Sequence, residues 1–394
     1  MIICQTTVII VQKPSFSYPN RTKTITFPFV VSFEAENSWR NMTDKATITL
    51  PKNIFYLDAN NIPVNLGNSN ANIGGFSASD PLFLKGDAVT INAGYKTFDK
   101  LGNPNLLMGS PTFAGFISKV TSKKPFVLEC ENAMWQLKQI PAPNKLFPAA
   151  SYTVEKMLAE LLTGTIYTVN QQTQTNIGDW TTQNETVADV LARLRKDKFL
   201  ESYFRGNQLR CGSLVYIEAE AVTHTYTFQQ TIISDDLEYQ RKDDIILSAI
   251  CNSINTVSVG GTTRDGNART QQQRLEVLIT LTAKGVVKNI RPLGSKADFP
   301  PANVGERRTL NFANVTDVNV LANLGVAKLQ QYYYTGLRGK FLTFGMPFAR
   351  QGDNAQIIDN KLPERNGTYK IKSVKYSGGT GGLRQEIELD YKLP

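Results

Sequence analysis

Apolar residues in this chain recur mostly at every second position. Ala46-Thr47-Ile48-Thr49-Leu50-Pro51 alternates and then stops at a proline, and Gly86-Asp87-Ala88-Val89-Thr90-Ile91-Asn92-Ala93-Gly94-Tyr95 alternates after a turn. Pro111 to Val120 leads to a second run, Pro125 to Cys130, through the short link Thr121-Ser122-Lys123-Lys124, which suits a hairpin. A period of two is what a strand with one buried face requires. Between these strands, the polar stretch from Asn60 to Asp80 is rich in Asn, Gly and Ser and predicts a surface loop.

The period changes between residues 131 and 210. Ser151 to Leu162 fits a short helix that stops at Gly164. Thr186-Val187-Ala188-Asp189 resembles a capping box with Asp in place of Glu, and opens a helix with Val187, Val190, Leu191 and Leu194 on one face. Ser202 to Cys211 reads as two short strands joined at Gly206-Asn207. Strands return from residue 246. Ile250 to Val259 is expected to pair with Leu275 to Thr282, with Gly260 to Gln273 as the loop between them. A helix near Asp317 to Tyr334 carries Val320, Leu321, Leu324 and Ala327 on one face, although Gly325 weakens it. In the last strand, Gln385, Ile387, Leu389 and Tyr391 face one side and Glu386, Glu388 and Asp390 the other.

The length of 394 residues and a hydrophobic share of 41% point to a globular chain of two or three domains. The net charge of +9 is mild for that length, and the densest basic pieces are only Arg193 to Lys198 and Arg307-Arg308, so a dedicated nucleic-acid reader is not expected. Cys4, Cys130, Cys211 and Cys251 stand singly, which excludes the usual zinc spacings and a disulfide framework; buried free thiols in a reducing compartment are expected. The N-terminus is apolar without a basic start and reads as a strand, not a signal peptide. No run of about 18 apolar residues predicts a membrane span. Sequons such as Asn41-Met42-Thr43 and Asn366-Gly367-Thr368 are a by-product of a chain rich in Asn and Thr.

Chemistry is constrained by a single histidine, His224. A two-histidine metal site is excluded, and a Ser-His or Cys-His nucleophile would have to use His224 itself. It lies in the alternating run Ala221 to Phe228, as a partly buried strand residue. No phosphate loop, dinucleotide fingerprint, zinc-protease helix or nucleophile elbow occurs. Gly378-Gly379-Thr380-Gly381-Gly382 sits between two strands, without a following helix or lysine, and reads as a flexible hairpin tip. Asp235-Asp236 and Asp243-Asp244 read as exposed loop acids. Tyr332-Tyr333-Tyr334, at a helix end, is expected to pack on a neighbouring sheet rather than stack on sugars or bases. No catalytic, cofactor-binding or metal-binding residues are expected.

Three ordered stretches carry a family likeness. The first joins Gly86 to Ile91, Phe113 to Val120 and Leu128-Glu129-Cys130-Glu131-Asn132-Ala133-Met134-Trp135-Gln136-Leu137-Lys138. The second is Thr186 to Arg195 with the Tyr203 to Leu209 hairpin. The third runs from Tyr334 to Pro347 and continues through Gly352 to Ile357 and Gly367 to Val374. In this order they resemble the hub proteins of phage tail baseplates and related contractile injection systems, including the myovirus baseplate hub and the hub portion of type VI secretion spikes.

The resemblance implies a β-rich α+β fold, with two tube-like β-barrel domains flanking a small inserted α+β domain. The expected boundaries are 1–130 for the first barrel, completed by 211–245, then 131–210 for the inserted domain and 246–394 for the second barrel. It implies a homotrimer whose pseudo-sixfold ring joins a hexameric tail tube protein to a trimeric spike protein, in contact with other baseplate proteins. The place implied is a virion tail or injection particle assembled in the bacterial cytoplasm. The role is structural, not enzymatic. The chain ends at Pro394 straight after its last strand, so the spike and any cell-wall enzyme are expected to be separate polypeptides. DNA or other cargo would pass through the channel without specific binding. An acidic or neutral wall suits that passage, because each phosphate neutralised by Lys or Arg adds affinity. Glu386, Glu388 and Asp390 are the channel-facing candidates. Two rival readings are a carbohydrate-binding adhesin or receptor-binding tail protein, and a polysaccharide-degrading enzyme with a carboxylate pair in a cleft.

Overall fold

A computed structural model describes residues 2–67, 81–108, 112–121, 125–171, 178–198, 200–212, 221–262, 268–290, 299, 306–313 and 315–393. The chain begins with ten strands: β1 (Ile2–Val11), β2 (Thr24–Phe27), β3 (Ser32–Ser38), β4 (Lys45–Thr49), β5 (Ile54–Leu57), β6 (Pro63–Gly67), β7 (Ala88–Phe98), β8 (Pro104–Met108), β9 (Phe113–Val120) and β10 (Val127–Glu131). A mixed region follows, with α1 (Met134–Leu137), β11 (Lys145–Phe147), α2 (Val154–Leu161), β12 (Thr168–Gln171), β13 (Trp180–Thr182), α3 (Val187–Lys198), β14 (Glu201–Arg205) and β15 (Gln208–Gly212). Next come β16 (Thr223–Thr227), β17 (Ile232–Gln240), β18 (Leu247–Thr262), β19 (Ala268–Thr282), β20 (Gly285–Ile290), β21 (Glu306–Ala313) and α4 (Val318–Gln330). The chain closes with β22 (Gly336–Phe344), β23 (Asn354–Ile358), β24 (Gly367–Gly379) and β25 (Arg384–Lys392).

The β-rich α+β class holds, but the strands are not closed into barrels. Among the described residues 16 of them form one sheet with open ends at β17 and β6, and the others form three small sheets. The reason is a seam. β24 pairs with β3 over seven residues, from Ser373↔Ser38 to Gly379↔Ser32, so the N- and C-terminal strands join edge to edge instead of each set curling onto itself. One hydrophobic core lies beneath both, with Val8, Phe33, Ile48 and Ile91 in the same cluster as Phe341, Ile371, Val374 and Ile387.

Within this sheet the same module occurs twice. In chain order its strands are β3, β4, β7, β9 and β10, and again β17, β22, β23, β24 and β25. In space the first set runs β3-β4-β10-β9-β7 and the second β17-β22-β25-β24-β23. All these pairings are antiparallel. One irregularity recurs at the same place in both. The β9–β10 register slips between Lys119↔Glu129 and Ile117↔Cys130, and the β24–β25 register between Ser373↔Glu388 and Ile371↔Leu389. A bulge is a specific local feature, so its recurrence at one place fixes the residue equivalence. Glu129 corresponds to Glu388, Ile117 to Ile371 and Val120 to Val374.

Two smaller units hang on this frame. The mixed region has its own core, built on Val154, Leu158, Val187, Leu191, Leu194 and Phe204. Its helix α3 starts at the expected capping box: Thr186 N donates to Asp189 Oδ2 at 2.9 Å and Asp189 N to Thr186 Oγ1 at 3.2 Å. The expected hairpin is β14–β15, turning at Gly206 with φ +61°. The second unit, β18 to β21 with α4, interrupts the second module between its first and second strands. Here the expected β18–β19 pairing is present but longer, because the polar residues assigned to a loop extend the ladder from Ser258↔Thr270 to Thr262↔Ala268. Gly325 belongs in α4, since a Cβ there would lie 2.3 Å from Cys251 Sγ. The strands within 211–245, expected to complete the N-terminal barrel, pair instead with the C-terminal strands β22 and β23. Most of the Asn60–Asp80 loop lies outside the described residues.

Candidate functional site

Each module is pinned by the same turn. Gly86 has φ +89° and Gly352 φ +86°, the left-handed conformation that favours glycine. Gly86 N donates to Ile117 O and Gly352 N to Ile371 O, both at 2.9 Å. The aspartate that follows closes the turn onto itself: Leu84 N donates to Asp87 Oδ2 at 2.8 Å, and Arg350 N to Asp353 Oδ2 at 3.0 Å. Asp87 is sealed by Arg21, which donates Nη2 to Oδ2 at 2.6 Å and Nη1 to Oδ1 at 3.0 Å. Asp353 faces His224 Nε2 at 3.0 Å and Arg205 Nη2 at 3.4 Å. His224 is thus a largely buried strand residue held by a carboxylate.

The seam is built by glycines. A Cβ on Gly378 would lie 2.3 Å from the Phe33 ring, and one on Gly379, at φ +133°, 2.3 Å from Val31 O. Thr380 N also donates to Val31 O at 3.1 Å. The glycine run is the tip of the β24–β25 hairpin, as expected, but its first two glycines are packed into the seam, while Gly381 has open space around it. Across it, Lys375 Nζ and Glu34 Oε2 are 2.9 Å apart.

The three carboxylates singled out from the sequence share one face of β25, with burial alternating along the strand as Gln385, Ile387, Leu389 and Tyr391 enter the core. Glu386 pairs with Lys340 at 3.2 Å. Glu388 is bound by Lys372 and accepts from Ser373 Oγ at 2.9 Å. Asp390 differs. It is half-buried with its Oδ2 shut off from solvent and without a hydrogen-bond partner among the described residues, and desolvation pushes its pKa up against the opposing pull of Arg40, Lys328, Lys372 and Arg308. Burial likewise lowers the Lys328 ammonium to about 8. Asp390 lines an open cavity of about 520 Å³ with Arg40, Glu306, Arg308, Arg338 and Lys372, and Lys328 Nζ lies 5.1 Å from the ring of the neighbouring Tyr391.

Residues not singled out from the sequence complete that face. Acid–apolar–acid triplets stand on four strands: Glu34-Ala35-Glu36 on β3, Glu129-Cys130-Glu131 on β10, Asp236-Leu237-Glu238 on β17 and Glu386-Ile387-Glu388 on β25. By the shared register, the first and third are equivalent, and Glu129-Cys130-Glu131 corresponds to Glu388-Leu389-Asp390, which continues the fourth. The strands between them carry Lys45 on β4, Lys119 on β9, Arg338 and Lys340 on β22 and Lys375 on β24. Acidic and basic strands therefore alternate from β17 to β9. The triplet spacing was a signal available in the sequence. Asp235-Asp236 is a strand element, not a loop pair.

The remaining candidates are structural. Tyr332 is buried with its ring edge-on to Tyr391 at 6.0 Å, and Tyr334 packs on Tyr369 at 6.1 Å. The four cysteines are free, and burial pushes the Cys130 and Cys251 thiols up to about 12. No helix is long and apolar enough to cross a membrane among the described residues.

No protein-family model and no curated protein matches the chain. Among solved structures, a tail protein from Neisseria meningitidis MC58 is similar over 99% of this chain and 96% of its own, at 11% identity and a TM-score of 0.54. This chain has a tail-protein fold. The 43 kDa tail protein of prophage MuSo2 from Shewanella oneidensis is similar over 97% of this chain and 98% of its own, at 12% identity and TM-score 0.49. Prophage tail protein gp18 from Listeria monocytogenes EGD-e covers 99% and is covered over 95%, at 9% identity and TM-score 0.44. The tail-protein fold spans the whole chain, so the mixed region and the α4 unit belong to it as well as the two modules.

Proposed function

We propose that the chain is a structural hub of a phage-like tail or contractile injection system. Three copies close a ring of six modules, joining a hexameric tube protein to a threefold spike protein among other baseplate proteins in the virion tail. One observation carries this reading: the module occurs twice per chain, joined edge to edge in a single sheet, so a threefold assembly presents a near-sixfold rim. The tail-protein fold supports it.

On this reading the polar face of the sheet, including Glu386, Glu388 and Asp390, lines the channel. Its lysines are engaged by carboxylates: Lys119 by Glu129 at 2.8 Å, Lys340 by Glu386 at 3.2 Å and Lys375 by Glu34 at 2.9 Å. Such a wall offers a passing polyanion few uncompensated cations, so DNA or other cargo moves through without specific binding. The role needs no cofactor and no catalytic residue.

The test is a mass measurement in solution with negative-stain imaging, repeated with tube and spike proteins present. A three-copy ring with an open pore is expected. A monomer with a glycan-filled groove overturns the reading.

A further inference from the structure

We propose that β17 of one copy pairs antiparallel with the free half of β9 in the next copy, with Val120 opposite Tyr239. This deepens the ring reading and rests on it. It names the two edges that meet and their register.

β17 is a nine-residue strand. Its ladder partner among the described residues is β22 alone, which leaves its other edge open. An exposed edge strand is a template for pairing with another chain. β9 has a half-open edge to match. On one side it pairs with β10 from Phe116 to Val120, and on the other with β7 from Phe113 to Phe116 only. β24, its equivalent, is occupied on that side twice, by β23 from Gly367 to Lys370 and then by β3 from Ser373 onward. Among the described residues, the place that β3 fills on β24 is empty on β9. The equivalent of β3 is β17.

The internal seam supplies the register. Ser373 faces Ser38 and Val374 faces Asn37. Lys119 and Val120 are the counterparts of Ser373 and Val374, and Gln240 and Tyr239 those of Ser38 and Asn37. Carried over, Lys119 meets Gln240, Val120 meets Tyr239 and Thr121 meets Glu238. The faces agree, because Val120 and Tyr239 are both partly buried at the rim of the main core. The charges agree as well. The basic strand β9 meets the acidic strand β17, so the alternation of acidic and basic strands continues around the ring without a like-charged junction. Opposite charges on neighbouring strands favour pairing, and like charges oppose it.

Two differences from the internal seam have consequences. The β9–β10 hairpin turns at Thr121, whose N donates to Val127 O at 3.0 Å and whose Oγ1 accepts from Val127 N at 2.8 Å. The joint between copies is therefore shorter than the seven-residue seam, and ring formation depends on protein concentration. Asp235 occupies the position of buried Phe33 yet stays exposed. A charge at a core-facing edge position discourages indiscriminate pairing.

The experiment uses the full chain with Cys4→Ser, since the other three cysteines are buried. Copies carrying only Val120→Cys are mixed with copies carrying only Tyr239→Cys under mild oxidation, and the double variant Val120→Cys/Tyr239→Cys is oxidised in parallel. The mixture is expected to give a disulfide-linked dimer, and the double variant a covalent trimer, both lost on reduction. Melting curves establish that each variant is folded. If mass measurement finds a ring while this pair stays unlinked and Ser118→Cys or Gln240→Cys partners link elsewhere, the register is overturned and the ring stands. If every folded variant remains a single copy, with and without tube and spike proteins, the ring itself is overturned.

Discussion

The two modules share a turn but finish it differently. In the N-terminal module Asp87 and Arg21 lie wholly inside, each with a side-chain exposure of 0%, and the guanidinium also reaches Pro81 O and Lys13 O. In the C-terminal module Asp353 is met by His224 from β16 and by Arg205 from β14 of the mixed region, at 11% and 19% exposure. One carboxylate closes its own module; the other fastens a neighbouring unit to it. The edges diverge in the same sense. The first strand of the N-terminal module, β3, is consumed by the seam, whereas the first strand of the C-terminal module, β17, has an open edge among the described residues. A duplicated scaffold thus gives a locked half and a half equipped for attachment.

The largest effect expected from perturbing this contrast is at Arg21. Arg21→Met leaves Asp87 buried and uncompensated, a loss of about 3–5 kcal/mol in denaturant unfolding. The matching change in the other module, His224→Ala, is expected to lose about 1–2 kcal/mol, because Asp353 keeps Arg205 and two backbone donors. Equal losses would erase the contrast. At the seam, Gly379→Val forces a side chain into Val31 O and costs about 1–3 kcal/mol. Gly381→Ala, with open space around its Cβ, should stay within about 0.5 kcal/mol.

Asp44 sharpens the contrast through pH. It precedes β4 and accepts from Ser38 N at 3.0 Å and Asn132 Nδ2 at 3.1 Å, and burial raises its pKa to about 7. The folded-state value lies above the unfolded one, so the stabilisation is complete below about pH 4 and is lost as pH rises through about 7. Asp44→Asn should flatten that decline in melting temperature between those limits. Smallest of all, Glu388→Gln on the half-exposed polar face should change stability by less than about 1 kcal/mol, as should Glu129→Gln at the equivalent position.

Much of this was legible in the sequence, and the illegible part has a physical cause. Alternation found the strands, since β25 alternates residue by residue. The Thr186–Asp189 box and the Gly206 hairpin were readable because they depend only on neighbours a few residues away. The recurrence of Gly86-Asp87 at Gly352-Asp353 is a mark of the repeat that the sequence carries. Its extent stayed hidden because insertions of different length separate the strands, the longest being the α4 unit between β17 and β22. Barrel closure was expected where a seam exists, because alternation reports which face of a strand is buried and not which strand lies beside it. Gly378 and Gly379 were read as slack for the same reason, since the requirement for glycine there comes from Val31 and Phe33, far away in the chain.

The most direct measurement is a reconstruction by electron cryomicroscopy of the full chain assembled at high concentration or with its tube and spike proteins. The expected map has three copies around an open pore, with β17 of each continuing the ladder at β9 of its neighbour and Glu386 and Glu388 on the inner wall. A map in which β17 is bare to solvent, or Glu386 and Glu388 turn outward, contradicts it.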